Sequence, residues 1–342
     1  MAVLVLVVPA LPARAHEFGP SQVVIASRGM EADVSTAVDA DGVVHGFANV
    51  AGATSGEIRY LEGRGTRWTV LATPYRGDVL SVAVDKTGTY VLHRAPDGLR
   101  ISKRLRDGRW TGGHLLVPQA AVPPVASVQA DLAAVDGRWW AVWSWLPAPV
   151  LDVFEAGTVG GGFRSGRVTG SLAADTAPTL ALTSGPRPGA ALVWLRSGEL
   201  WTATADRPGT WKGARRLGGR AAGPDLVVDG ATWHLSFLRD GRLHYGRGSA
   251  AGLRTERVSA DGVPDPAVLA VSRGRPVLVH AAPTGSSVLL RTRGAGGRWR
   301  TSTVWASAYD WTSFSVTAHR GHATVFVGAA KSLAVLVRSQ ER

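Results

Sequence analysis

Short runs of alternating apolar and polar residues, broken by glycine turns, recur along the whole chain. In the first, Ser35-Thr36-Ala37-Val38-Asp39 leads through Ala40-Asp41-Gly42 into Val43-Val44-His45-Gly46-Phe47. The second is Ser81-Val82-Ala83-Val84-Asp85, Lys86-Thr87-Gly88, then Thr89 to His93. The third runs from Asp131 through Asp136-Gly137 to Trp139–Trp143. Later copies centre on Gly189, Gly230, Gly274 and Gly321, so the spacing between turn glycines is 41 to 52 residues. Period-two alternation around Gly and Asp turns predicts β-hairpins.

Each hairpin is followed by a second motif. Third strands are expected to begin near Glu57, Leu99, Leu151, Glu199, Arg242, Ser287 and Leu333. Six of them lead to a glycine and then a bulky residue: Gly65/Trp68, Gly108/Trp110, Gly162/Phe163, Gly209/Trp211, Gly252/Leu253 and Gly297/Trp299. That bulky residue should plug the gap between neighbouring sheets where a fourth strand begins. The seventh unit ends after three strands, whereas Ser21–Ser27 is a strand without a hairpin partner. Pairing the two removes an open edge. The pattern predicts an all-β fold: a β-propeller of seven four-stranded blades, its N-terminal strand closing the last blade. Six blades is the alternative, should residues 146–178 be miscounted.

The repeats resemble those of secreted bacterial propellers of the sialidase/BNR type, over most of residues 33–342. Gly65-Thr66-Arg67-Trp68 keeps the end of that superfamily's Asp-box, with Glu62 and Gly63 at its earlier positions; Asp107-Gly108-Arg109-Trp110 is spaced differently. A sialidase would further need an arginine triad, a Tyr nucleophile with its Glu, and an acid/base Asp. None of the five tyrosines stands in a matching context. The resemblance therefore implies a fold and no catalytic residue.

Composition narrows the classes. Of 342 residues, 45% are hydrophobic and 19% charged, which excludes a disordered chain. The absence of cysteine excludes a disulfide scaffold, a Cys-based zinc site and a thiol nucleophile. Net charge is +12, but the basic residues are scattered singly, which argues against specific nucleic-acid binding. Met1–Leu11 is almost wholly apolar, and Ala13-Arg14-Ala15 follows as an A-x-A cleavage pattern. We expect a signal-peptide-like segment over 1–15, a single propeller domain over 16–342, secretion, a monomer, and no membrane span after signal removal.

Candidate chemistry gathers where first strands begin and second strands end. An aspartate precedes each first strand: Asp33, Asp78, Asp131, Asp175, Asp225, Asp265 and Asp310. Such carboxylates would form an acidic ring able to hold a cationic group, with Asp78, Asp265 and Asp310 as its test positions. His93, Trp143, Trp145, Trp194, Phe237 and His280 lie near the ends of second strands, and Arg94, Arg196 and Arg239 follow them. Aromatic faces beside charged groups suit a polar ring-shaped ligand, and the arginines suit an anion. Asp39-Ala40-Asp41-Gly42 reads as a hairpin turn and not a calcium loop, because an EF-type loop needs more ligands and a later Glu. No metal and no cofactor is expected. The expected function is a secreted, non-catalytic propeller that binds a carbohydrate, cell-envelope polymer or protein through one face. A sialidase-like exo-glycosidase or polysaccharide lyase on the same fold is the alternative, and a structural platform without a small ligand is the third.

Overall fold

The computed structural model describes residues 22–26, 34–50, 56–121, 127–146, 151–156, 163–168, 175–183, 189–206, 211–294, 296–306, 311–329 and 332–339. The described chain is β-strand and turn, with one 3-10 turn at Gln119–Ala121. β1 is Gln22–Ala26. Then β2–β5 are Val34–Val38, Val44–Val50, Glu57–Arg64 and Arg67–Arg76. β6–β9 are Asp78–Asp85, Gly88–Ala95, Gly98–Leu105 and His114–Pro118. β10–β13 are Ser127–Val135, Arg138–Leu146, Leu151–Ala156 and Phe163–Arg167. β14–β17 are Asp175–Leu182, Ala190–Arg196, Glu199–Ala205 and Trp211–Arg220. β18–β21 are Ala222–Asp229, Thr232–Arg239, Arg242–Ser249 and Gly252–Arg257. β22–β25 are Val268–Ser272, Arg275–Ala281, Ser287–Arg293 and Trp299–Ala306, and β26–β28 are Trp311–His319, His322–Ala329 and Ser332–Ser339.

These strands form seven four-stranded antiparallel sheets, six of them in simple chain order. The seventh has the order β1-β28-β27-β26, so the N-terminal strand pairs at the edge of the C-terminal hairpin, with Gln22 opposite Val335 and Ala26 opposite Ser332. In five sheets the side chains are described in all four strands; in the sheets of β10–β13 and β26–β1 they are described only in part. The stretch 146–178 contributes β12 and β13 to an ordinary sheet.

The turns follow from their residues. Asp136-Gly137, Ser197-Gly198, Asp240-Gly241, Arg273-Gly274 and Arg320-Gly321 have positive φ at both positions. That is the two-residue turn whose twist matches flanking strands, and glycine adopts its second position without a Cβ clash.

The chain divides into two compact units: residues 1–79 with 270–342, and residues 80–269. In the first unit, Val34, Val44, Ala48, Leu61 and Phe326 pack into one cluster, and Trp68 meets Phe326 edge-on at 5.3 Å. In the second unit, successive sheets pack face to face. Trp139, Ala141, Trp143 and Trp145 join Tyr90, Leu92, Leu99 and Ile101 on one side of β11. Trp140 and Val142 join Leu180, Leu192 and Trp194 on the other. Alternate residues of a strand point to opposite faces, so a second strand covered on both sides is mostly apolar on both.

Within residues 80–269, side chains of first strands reach the backbone of the next first strand. The backbone N–H of Leu132 donates to Ser81 Oγ, that of Leu180 to Asp131 Oδ2, that of Leu226 to Thr179 Oγ1, and that of Leu269 to Asp225 Oδ2. Ser81, Asp131, Thr179 and Asp225 thus hold one equivalent position and satisfy the next sheet's buried amide. In the first unit Thr36 and Ser315 share a hydroxyl–hydroxyl bond of 2.7 Å between first strands.

Candidate functional site

The structure corrects the expected acidic ring. Asp131 and Asp225 are the inter-sheet clasps described above. Burial raises the Asp131 carboxyl above its ordinary value, and it pushes Asp225 up to about 7, with the Asp131 charge adding to the effect. Asp78 and Asp265 are exposed and lie three residues before the clasp positions Ser81 and Val268. Asp33 and Asp310 lie outside the described residues. The seven aspartates therefore do not share a register.

The aromatic candidates are also corrected. Trp143, Trp194 and Phe237 are wholly buried, and Trp145 is 6% exposed; all belong to the packing between sheets and present no open face. His93 is buried with Nε2 3.0 Å from Ser102 Oγ. His280 is buried, its Nδ1 bonded to the Ala281 carbonyl and its Nε2 accepting from Arg291 Nε at 2.8 Å. Burial pushes its pKa down to about 4, so the imidazole is neutral near pH 7, as acceptance of a guanidinium proton requires. Arg94 is half-buried at the end of β7. The Asp39 turn is a hairpin cap: its Oδ1 accepts from the amides of Asp41 and Val43, and Oδ2 lies 3.2 Å from His45 Nε2.

One of the arginines, Arg196, does organise a site, in the second unit. A tight turn carries it: Ser197-Gly198 sets Arg196 opposite Glu199, as Asp240-Gly241 sets Arg239 opposite Arg242. Arg196 clamps the fully buried Asp175 with Nε at 2.8 Å and Nη2 at 3.1 Å, and Trp194 Nε1 donates to the same carboxylate at 3.0 Å. This bidentate contact fixes the guanidinium plane. The plane then lies 4.5 Å from the ring centre of Trp201, which is half-buried. Across the strand from Trp201 stands Arg216, paired to Glu199 at 2.9 Å. The result is a half-buried indole with the Arg196 guanidinium over its ring and Glu199 and Arg216 beside it, three groups that donate and accept hydrogen bonds.

Of the positions named from sequence, this cluster uses Asp175, Trp194 and Arg196. It adds Glu199, Trp201 and Arg216, which the sequence reading missed. Trp201 and Arg216 carried a usable signal, being cross-strand partners once β16 and β17 are aligned.

A cavity of about 200 Å³ lies elsewhere in this unit, between Tyr90, Lys103, His114 and Trp139. Its polar wall is internally bonded: Lys103 Nζ donates to Tyr90 Oη at 2.8 Å and to Thr87 Oγ1. Among the described residues no group of three metal-ligating side chains occurs, and no helix is long and apolar enough to cross a membrane.

No family model and no curated protein matches the chain. Solved structures do. A puromycin hydrolase overlays with a TM-score of 0.59 at 18% identity, over 88% of this chain and 50% of its own. The lectin of Aleuria aurantia, described as a six-bladed β-propeller, overlays with a TM-score of 0.53 at 12% identity, over 83% and 96%. An α-L-arabinanase of Penicillium chrysogenum gives 0.50 at 10%, over 83% and 97%. The protein has an all-β, propeller-type fold. The chain spans about half the length of the puromycin hydrolase. The likeness to sialidase-type repeats is one of pattern, with no matching family model beside it.

Proposed function

We propose that the protein is an exported, non-catalytic propeller of seven blades that binds a glycan at the Trp201 cluster. The observation that carries this is the half-buried indole flanked by Arg196, Glu199 and Arg216. A polar ring with one apolar face needs such a platform, with charged donors and acceptors at its rim. The seven four-stranded sheets support the blade count, and the A-x-A pattern at Ala13–Ala15 supports export. The structural neighbours include a lectin with a fucose recognition mode and an arabinanase complexed with arabinobiose, so glycan binding and glycan cleavage both occur on related folds.

Binding is preferred to cleavage because both carboxylates of the cluster are tied to guanidinium groups, Asp175 to Arg196 and Glu199 to Arg216. Glycoside hydrolysis needs one carboxyl group that carries a proton to the leaving oxygen. The test is a glycan screen with the mature chain, followed by Trp201→Ala. The reading expects a glycan hit and at least a tenfold loss in the variant, with the fold intact by circular dichroism. A screen without hits, or a hit that Trp201→Ala leaves unchanged, overturns it. Release of reducing sugar transfers the case to the glycosidase alternative.

A further inference from the structure

The fifth sheet gathers positive charge on one face. In β19–β21 the register sets Arg239 opposite Arg242, Phe237 opposite His244, and His244 opposite Arg257. Directly opposed residues of antiparallel strands share a face, as do alternate residues of one strand. Phe237, Arg239, Arg242, His244 and Arg257 therefore project to the same side. His244 stacks on Phe237, with ring centres 5.5 Å apart and planes 19° from parallel. The Arg239 guanidinium lies 5.2 Å from the Phe237 ring centre. His244 and the Arg239 guanidinium thus both lie against the buried Phe237 ring, and Arg242 and Arg257 share their face by register.

Among the described residues none of the three arginines forms an ion pair, and Arg239 Nε is buried without a hydrogen-bond partner. Asp240, in the adjoining turn, is exposed. From the neighbouring strands the uncharged Gly218 and Leu200 approach Arg239; a Cβ at Gly218 would stand 3.7 Å from Arg239 Nη2, an ordinary contact. Burial, then the charges of Arg239 and Arg257, hold the His244 imidazole below its usual range; Asp240 opposes this and Arg242 adds to it.

We propose that Arg239, Arg242, His244 and Arg257 form a binding site for a tetrahedral oxyanion of charge near −2, phosphate or sulfate, free or as an ester. Three cations against one carboxylate leave a surplus of about two charges, which matches a dianion better than a single carboxylate. The planar guanidinium supplies paired donors to oxygen atoms in a fixed fork, and an imidazole beside it adds a further N–H. This site shares no residue with the Trp201 cluster and does not depend on the glycan reading.

The probes are inorganic phosphate and sulfate, with acetate at matched ionic strength as control. Binding is followed by calorimetry and by the NMR titration of His244. The expected result is saturable binding of phosphate, sulfate or both, and a rise in the His244 pKa, because the bound charge cancels that of the arginines. Phosphate alone, or sulfate alone, assigns the site to that ion. Arg239→Ala and Arg257→Ala should each weaken binding at least tenfold, and Arg239→Lys should recover only part of it. Arg254→Ala, toward the other end of β21, should bind as the native protein does. An equal His244 response to acetate reduces the effect to ionic strength and overturns the proposal. So does undiminished binding in both alanine variants while their fold is retained.

Discussion

A carboxylate's role here is set by which sheet its oxygen atoms reach. Asp225 receives the Leu269 amide, and burial raises its pKa to about 7. A carboxyl whose folded pKa exceeds its unfolded value binds more protons when folded. Its contribution is therefore complete below the unfolded value near 3.8 and is lost as pH rises to about 7. His234 and His280 act in the opposite sense. Burial lowers both to about 4, so the unfolded chain binds more protons between there and 6.5, and stability rises with pH across that interval. Asp225→Asn keeps a carbonyl oxygen for the Leu269 amide and removes the ionisation. It should stabilise the protein by about 1–3 kcal/mol at pH 8, since a tenfold change in ionisation is worth about 1.4 kcal/mol. At pH 4 it should change little, and thermal melts at the two pH values measure this. Equal shifts at both would assign the effect to packing.

At the scale of strands and sheets, much was legible because turn chemistry is local. Gly42, Gly88, Gly137, Gly230, Gly274 and Gly321 were placed at first turns, and all have positive φ. The third-strand starts near Glu57, Glu199, Arg242 and Ser287 coincide with those of β4, β16, β20 and β24. The clasp was not legible. Ser81, Asp131, Thr179 and Asp225 share a position and a role but not a residue type, because any side-chain oxygen accepts an amide proton. Grouping by aspartate instead picked Asp78, Asp175 and Asp265, which lie three or four residues away from that position. The aromatics misled for a related reason: alternation shows that Trp143 and Trp194 face a neighbour, but only packed sheets show that both faces of a second strand are covered. The clasp yields its own prediction. Thr179→Val leaves the Leu226 amide buried without an acceptor, at a cost of about 1–3 kcal/mol. Thr179→Ser retains the oxygen and should cost less than half as much. Urea titration of the two variants compares them; equal losses would mean that the methyl contact, not the hydrogen bond, matters.

For the molecule as a whole, the consequential pairing is that of β1 with β28. It joins residues 22–26 to residues 332–335, at opposite ends of the sequence, within one sheet. β1 holds the outer position of that sheet and covers the edge of β28, whose other side pairs with β27. Removing it leaves β28 with a row of unpaired amide and carbonyl groups, and an open edge is a template for another chain. A chain beginning at residue 30 should therefore self-associate. The net charge of +12 sets the conditions: like-charged copies repel at low ionic strength, and salt screens that repulsion within about 10 Å at 0.1 M. Light scattering behind size exclusion should then show higher-order species that grow with protein concentration and with salt, whereas the longer chain stays at one mass. A synthetic peptide of residues 20–28 added in excess should restore that single mass by taking the vacated position. Failure of the peptide, with aggregates unchanged, would show that the shortened chain has lost its fold and not only an edge. A shortened chain that stays at one mass and melts with the longer one would show that β1 contributes neither stability nor protection.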